Sequence, residues 1–443
     1  MPLNTFAPIR NQFLAGKSTP RDHFEATLAA IEALEPTLHA FAALTATSGR
    51  RAADESTKRY QAGKPLSPLD GCPVGIKDII ETVDAPTQMN SPVFAGWESH
   101  RDAPSVLALR KAGALVVGKT HTTEFAIGRS APTTNPYDTA RTPGGSSSGS
   151  AAAVGAGVLA LALGTQTAGS ILRPASYCGA YGFKPSHGLL PVGGIHPLSR
   201  SLDTLGTIAA SLEDAWQGAR QIWRWTGSDD WRLGLADDAV PGAALQHHRI
   251  GWLRTDGWER LDDASEQAFH FLVSKLRAAG VEVVDAHAHA GVERVEGLLK
   301  DVADLNTQIV QAEIRYPMSV YYERDRSQLS ERIQSMLQAG ASISGEQRAA
   351  LLKRQQMLRS EVDTLRAELD GFITMASTGP APVGLDNTGD RTFLSPWSVV
   401  GGPAFSLPLM EVDNLPVGLQ LMGFYANDAD LAAVAAWIAD HLA

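Results

Sequence analysis

Residues 143–188 read PGGSSSGSAAAVGAGVLALALGTQTAGSILRPASYCGAYGFKPSHG. A Gly/Ser linker followed by a buried helix is the plainest account of such a stretch. It fails on two counts. The Gly/Ser cluster runs straight into apolar residues with no polar spacer, and a second small-residue turn, Thr167-Ala168-Gly169-Ser170, follows and leads to Arg173. The spacing instead predicts a tightly packed, alanine-rich helix over 147–157 and a buried strand over 159–165. Two small-residue turns flanking one helix–strand unit can bring their hydroxyls together. Turns of this kind also present backbone N–H groups to an anion or oxyanion.

The same alternation extends outward. Upstream, Pro73 to Ile76 reads as a short buried strand ending at Lys77-Asp78. Residues 105–111 are helical, Gly113 ends them, and Leu115 to Val117 is a strand. Thr19-Pro20 opens an amphipathic helix carrying Phe24, Leu28, Ile31 and Leu34. Downstream, residues 210–245 read as loop-rich, with tryptophans at 216, 223, 225 and 231. Strands follow at 249–253 and 281–284, around a helix at 263–279. The span 292–369 is helical and polar, broken near Gly340 and Gly345. Strands return at 404–409 and 417–422 before a last helix from Asp428. This order predicts an α/β fold: one large domain over 1–443, with a central mixed β-sheet covered by helices on both faces. Its core would lie at about 65–210, with a mainly helical insertion at about 290–370.

Bulk properties narrow the function. With 443 residues, 44% hydrophobic and 19% charged, the chain suits a globular enzyme. Its net charge is −10 and no basic stripe is present, which argues against a nucleic-acid partner. Cys72 and Cys178 cannot form a disulfide scaffold and suit a reducing compartment. The longest apolar stretch, 151–163, falls short of the roughly 20 residues that span a membrane. Residues 1–10 lack the apolar core of a secretory signal. No membrane association and a cytoplasmic location are expected.

Three motifs compete with the 143–188 reading. Gly113 to Thr120 satisfies the phosphate-loop pattern, but Leu-Val-Val between its glycines favours a strand. Gly145 to Gly149 fits a G-x-S-x-G elbow with Ser147 as nucleophile, although a loop rather than a strand precedes it. His287 and His289 could share one face of a strand, but no series of further metal ligands follows. A serine nucleophile needs a base. His187 lies in a turn of its own, whereas Lys77 ends a buried strand, where burial would lower its pKa. A strand-end lysine paired with Asp78 is an equal account on the residues alone.

The segment resembles the signature of the amidase signature family, whose usual form is G-G-S-S-x-G-S, about ten small or apolar residues, then G-T-D-T-G-G-S-I-R-x-P. Gly75-Ile76-Lys77-Asp78 is similar to the family's lysine motif, and 112–126 and 402–423 to its flanking segments. The resemblance runs from about residue 20 to the C-terminus and is weakest between 210 and 395. It implies a metal-free, cofactor-free serine hydrolase cleaving a C–N bond of a small amide, half-amide, anilide or carbamate. Carried over by position, Lys77 is the base, Ser146 the bridging serine preceded by a cis peptide, and Ser170 the nucleophile that forms the acyl-enzyme. The N–H groups of Thr167, Ala168, Gly169 and Ser170 would hold the oxyanion. Esterase or urethanase activity of the same triad, or an α/β-hydrolase-type esterase using Ser147, are the alternatives. The family also implies a homodimer.

The chain departs from the usual pattern at Gln166, Ala168 and Arg173, the last falling one place late. That arrangement resembles the malonamidase-like branch and argues against the amidase-type component of glutamyl-tRNA amidotransferase. In malonamidase the matching arginine binds a substrate carboxylate, and a guanidinium fork suits that task. A purely structural ion pair or carbonyl contact is an equal account of Arg173. Gly145, Met89 and Asn90 are further substrate-binding candidates. Phe94 to Trp97 and Tyr316, Tyr321 and Tyr322 are weaker ones.

Overall fold

A computed structural model of the protein describes residues 3–228, 233–235 and 242–442; Trp231 lies outside them. Eleven strands form one sheet: β1 (Phe41–Leu44), β2 (Pro73–Lys77), β3 (Leu115–Thr120), β4 (Leu161–Gln166), β5 (Tyr181–Lys184), β6 (Thr204–Ala209), β7 (Arg249–Trp252), β8 (Glu282–Val284), β9 (Phe372–Met375), β10 (Ala404–Val412) and β11 (Leu415–Met422). Their spatial order is β1-β3-β2-β4-β6-β5-β10-β11-β9-β7-β8. The sheet is mixed. β2 runs parallel to β3 and β4, and β7 parallel to β8 and β9, while the other neighbours are antiparallel. Every residue of β2, β3, β4, β6, β9 and β11 is buried, which requires cover on both faces. β10 and β11 are joined by Asp413-Asn414, both with positive φ (53° and 60°), as a two-residue hairpin demands.

The helices are α1 (Phe6–Leu14), α2 (Pro20–Leu38), α3 (Ala46–Gln61), α4 (Pro104–Lys111), α5 (Ser148–Gly155), α6 (Leu172–Tyr177), α7 (Leu212–Thr226), α8 (Asp263–Ala278), α9 (Ala290–Leu298), α10 (Val302–Asp325), α11 (Glu331–Ala341), α12 (Gly345–Asp363), α13 (Ser395–Val400) and α14 (Asp428–Leu442). Thr19 caps α2, its hydroxyl accepting from the Asp22 N–H at 3.1 Å. The span 290–363 is helical, from α9 to α12, with one of its breaks between Ala341 and Gly345 where the glycines fall. One expectation is corrected. Residues 212–226 are not loop but α7, because Ser211 caps Asp214 (3.0 Å) and Ala215, Trp216, Ala219 and Ile222 share one buried face.

No described helix is long and apolar enough to cross a membrane. The phosphate-loop pattern is the strand β3 itself, and Lys119 is buried against Asp78 (3.2 Å) and Thr87 (2.6 Å). His289 caps α9 and pairs with Glu368 at 3.1 Å. Cys72 and Cys178 are buried and unpaired with each other.

Candidate active site

Parallel pairing of β2 with β4, with Ile76 opposite Leu163, sets the carboxyl ends of the two strands side by side. Sites in α/β sheets collect at such ends. β2 ends on Lys77, and β4 leads into the turn carrying Ser170. α5, packed on these strands, starts just after Ser146. A bond from the Ser147 N–H to the Ser170 carbonyl (3.3 Å) ties the two small-residue turns together. The peptide between Gly145 and Ser146 is cis.

Lys77 is fully buried, and its Nζ lies 2.7 Å from Ser146 Oγ, 2.8 Å from Thr165 Oγ1 and 3.3 Å from the Thr165 carbonyl. Burial holds the Lys77 amine well below the usual lysine range, while the Asp203 carboxylate pulls the other way. Lys77 is therefore not the partner of Asp78; Lys119 is. Asp203 is itself pushed up to about 6 by burial, against hydrogen bonds from the Leu198 and Ser199 N–H groups and from Thr167 Oγ1.

Ser146 and Ser170 line one polar cavity of about 260 Å³, together with Thr167, Ala168, Gly169 and Arg173. Gln166 shapes that wall. Its Oε1 accepts from the Ile171 and Leu172 N–H groups (2.9 and 3.1 Å), and its Nε2 donates to Ser398 Oγ (3.1 Å). Ser398 in turn donates to the Ala168 carbonyl at 2.6 Å, and Asn306 of α10 to that of Thr167 at 3.0 Å. The N–H groups of Ala168, Gly169 and Ser170 make no hydrogen bond among the described residues. Gly169 has no room for a side chain, since a Cβ there would meet Leu394 at 2.7 Å.

The other expected site residues divide between that cavity and the core. Ser147 is fully buried, with its hydroxyl 3.4 Å from the Thr165 carbonyl, so it offers no exposed nucleophile. Arg173 donates to the Gly145 carbonyl (2.7 Å), the Gly389 carbonyl (3.0 Å) and Thr388 Oγ1 (3.0 Å). It thus braces the chain at Gly145 against the 388–389 loop, and Gly145 serves as its acceptor. Met89 and Asn90 do not reach the cavity. Both adopt left-handed φ, Met89 is buried in the core, and Asn90 donates to the Ser130 carbonyl at 3.2 Å. Tyr321 packs on Phe94 and Phe125. Tyr316, 89% exposed, stands at the edge of a second, apolar cavity of about 630 Å³, which shares Ala126, Thr167 and Leu198 with the first. Sequence reasoning missed Thr165, Asp203, Asn306, Arg332, Arg391 and Ser398. All but Thr165 lie outside the 143–188 stretch.

A family model described as amidase matches residues 22–432. The chain is 32% identical to a glutamyl-tRNA(Gln) amidotransferase subunit from Rhodopirellula baltica, an alignment covering 95% of this chain and 92% of that one. A crystal structure of an amidase superposes with TM-score 0.85 at 27% identity, covering 99% of this chain and 100% of the other. The native peptide amidase of Stenotrophomonas maltophilia gives TM-score 0.79 at 26% identity, covering 99% and 96%.

Proposed function

Because the chain belongs to the amidase family, we propose that it hydrolyses a C–N amide-type bond through an acyl-enzyme on Ser170, with Lys77 as base and Ser146 as relay. The observation that carries this is the 2.7 Å approach of the buried Lys77 amine, held below the usual lysine range by burial, to Ser146, which lines one cavity with Ser170.

Neutral Lys77 draws a proton through Ser146 from Ser170, and the Ser170 oxygen attacks the carbonyl carbon. The N–H groups of Thr167, Ala168, Gly169 and Ser170 receive the oxyanion, each well-placed donor being worth roughly 3 kcal/mol. Ser146 returns the proton to the leaving nitrogen. Water, activated by the same relay, then releases the acid. Ester and urethane carbonyls fit the same chemistry. A small-molecule amide is the substrate class that the cavity size favours.

A second reading follows from the 32% identity to a subunit of a glutamyl-tRNA(Gln) amidotransferase: amide-nitrogen transfer as one component of a larger enzyme. Gln166 and Ala168, where the family pattern has Asp and Gly, speak for a separate specificity. The purified chain decides between them. Turnover of simple amides but not of glutamine supports the stand-alone hydrolase.

Ser170→Ala should abolish turnover and Lys77→Ala should lower it by at least about 10³-fold, as loss of a nucleophile's base does. A fluorophosphonate should label residue 170 and leave 147 untouched. Full activity in Ser170→Ala would discard the mechanism.

A further inference from the structure

Away from the Ser170 cavity, a pocket of about 350 Å³ opens between α12 and the loop joining β5 to β6. Three guanidiniums line it: Arg200 from the loop, Arg348 and Arg359 from α12. Among the described residues no carboxylate does. Arg348, Gln355 and Arg359 share one face of α12 by the helical repeat. Gln355 Nε2 donates to the Ser201 and Val399 carbonyls (3.1 Å each), which ties that face to the loop carrying Arg200. Arg359 is held at the wall. Its Nε donates to the Val400 carbonyl at 2.8 Å, its guanidinium lies 4.0 Å from the centre of the Tyr425 ring, and a Cβ at Gly401 (φ 79°) would meet its Nη2 at 2.5 Å. Arg348 pairs with Glu313 at 2.8 Å. Arg200 is exposed, and its side chain makes no hydrogen bond or ion pair among the described residues.

We propose that Arg200, Arg348 and Arg359 form a binding site for a dianionic phosphate group, free or as a monoester, separate from the cavity of Ser170. The site does not depend on which residue is the nucleophile.

Charge sets the ligand class. Three guanidiniums against the one carboxylate paired with them, Glu313, leave two positive charges. A phosphate group carries about −1.5 to −2 at neutral pH, whereas a carboxylate carries one charge and leaves the pocket cationic. Guanidinium forks also offer paired N–H donors to phosphate oxygens. The chain as a whole carries −10, so three arginines at one pocket with no lining acid run against its general balance. Like charges brought together this way repel, and a bound dianion relieves the repulsion. The pocket backs onto the apolar cavity of about 630 Å³, which Arg200 and Arg348 also line. Glu313, beyond Arg348, holds Ser199 and Ser201 of the same loop at 2.7 Å each. A phosphate here therefore sits at the outer wall of that cavity.

Calorimetric titration of the full chain at low ionic strength tests the site, with inorganic phosphate, glycerol 1-phosphate and acetate as probes. Both phosphates should saturate a single site with a Kd of about 1 mM or tighter. Acetate should bind at least about tenfold more weakly, since it meets the same donors with half the charge. Equal affinity for the two phosphates assigns the site to the free ion, and tighter binding of the ester assigns it to a monoester. Arg200→Gln and Arg359→Gln should each weaken phosphate binding by about tenfold or more, the factor expected for one charged hydrogen-bonded contact. Arg200 has no side-chain partner to lose, so Arg200→Gln carries the comparison alone should Arg359→Gln melt early. Arg391, which lines the Ser170 cavity instead, serves as the control, and Arg391→Gln should bind phosphate as wild type does. The absence of saturable phosphate binding, or acetate binding as tightly, overturns the proposal. So does phosphate binding that survives Arg200→Gln and is lost in Arg391→Gln, because the anion then sits beside Ser170.

Discussion

At the residue scale the informative group is Asp203, which no sequence pattern singled out. It lies 33 positions beyond Ser170 in the chain, yet its carboxyl accepts from Thr167 in the turn before Ser170 and raises the proton affinity of Lys77. The proposed mechanism requires a neutral Lys77, so kcat/KM should climb with pH through the Lys77 pKa. Asp203→Asn removes a negative charge, which makes the Lys77 ammonium easier to deprotonate. The acid limb of the profile should therefore move to lower pH. Because Asp203 itself titrates at about 6, the two profiles should differ above that pH and converge below it. A limb that moves upward, or a uniform drop at every pH, would show that Asp203 acts only by holding Thr167. Lys77, Ser146 and Ser170 were legible because their motifs are local and dense. Thr165 was hidden inside the same motif, since a threonine in a strand looks like any other β-former. Arg332 and Arg391 were not legible, because a surface helix and a loop give no sign of which cavity they face.

At the element scale Gln166 joins three pieces: the end of β4, the start of α6 and, through Ser398, α13. Its amide stands where the family pattern usually has aspartate, and the longer side chain still reaches both N–H groups of α6. Gln166→Leu leaves those two buried donors unpaired. It should cost at least about 2 kcal/mol in urea unfolding. It should also lower kcat more than it raises KM, because Ser398, which holds the Ala168 carbonyl of the proposed oxyanion turn, loses its bond from Gln166. Gln166→Glu keeps the acceptor and should retain most of the stability. An unchanged unfolding midpoint in Gln166→Leu would refute the anchoring role. Elsewhere, long periodic elements were legible: α2, α8 and α14 fall where the spacing put them. The strands β1, β5, β6 and β9 were not, although they are no shorter than β7 and β8, which were. α7 could have been read from Ser211 and its 3–4 spacing of apolar residues; the clustered tryptophans obscured it.

At the scale of the whole molecule, a single eleven-stranded sheet runs through the domain, and the helical span between β8 and β9 is bonded back to it. α10 reaches back to Thr167 through Asn306, and its Glu313 binds Ser199, Ser201 and Arg348 of α12. Nothing in the 290–370 sequence announced the bonds to Thr167, Ser199 and Ser201, because they form between segments more than a hundred residues apart. Stability of such a unit depends on its buried titratable groups together. Burial lowers His196 to about 4, and burial, then His39, lowers His121 to about 4. Between pH 6.5 and 4 the unfolded chain takes up protons there that the folded chain refuses, so their stabilising contribution is lost as pH falls. Asp203 and Asp214 are raised to about 6, chiefly by burial. Over the same range the folded chain binds those protons more tightly, so their contribution grows as pH falls. The two pairs oppose each other, so their contributions to the melting temperature largely cancel from pH 7 to 5. His196→Phe keeps the ring packed against Phe125 (4.9 Å between centroids) and removes one acid-sensitive group. Its melting temperature should rise relative to wild type on acidification, whereas that of Asp203→Asn should fall. Calorimetric scans at half-unit pH steps measure both differences. Parallel curves for the three proteins would mean that these groups titrate alike in the folded and unfolded chain.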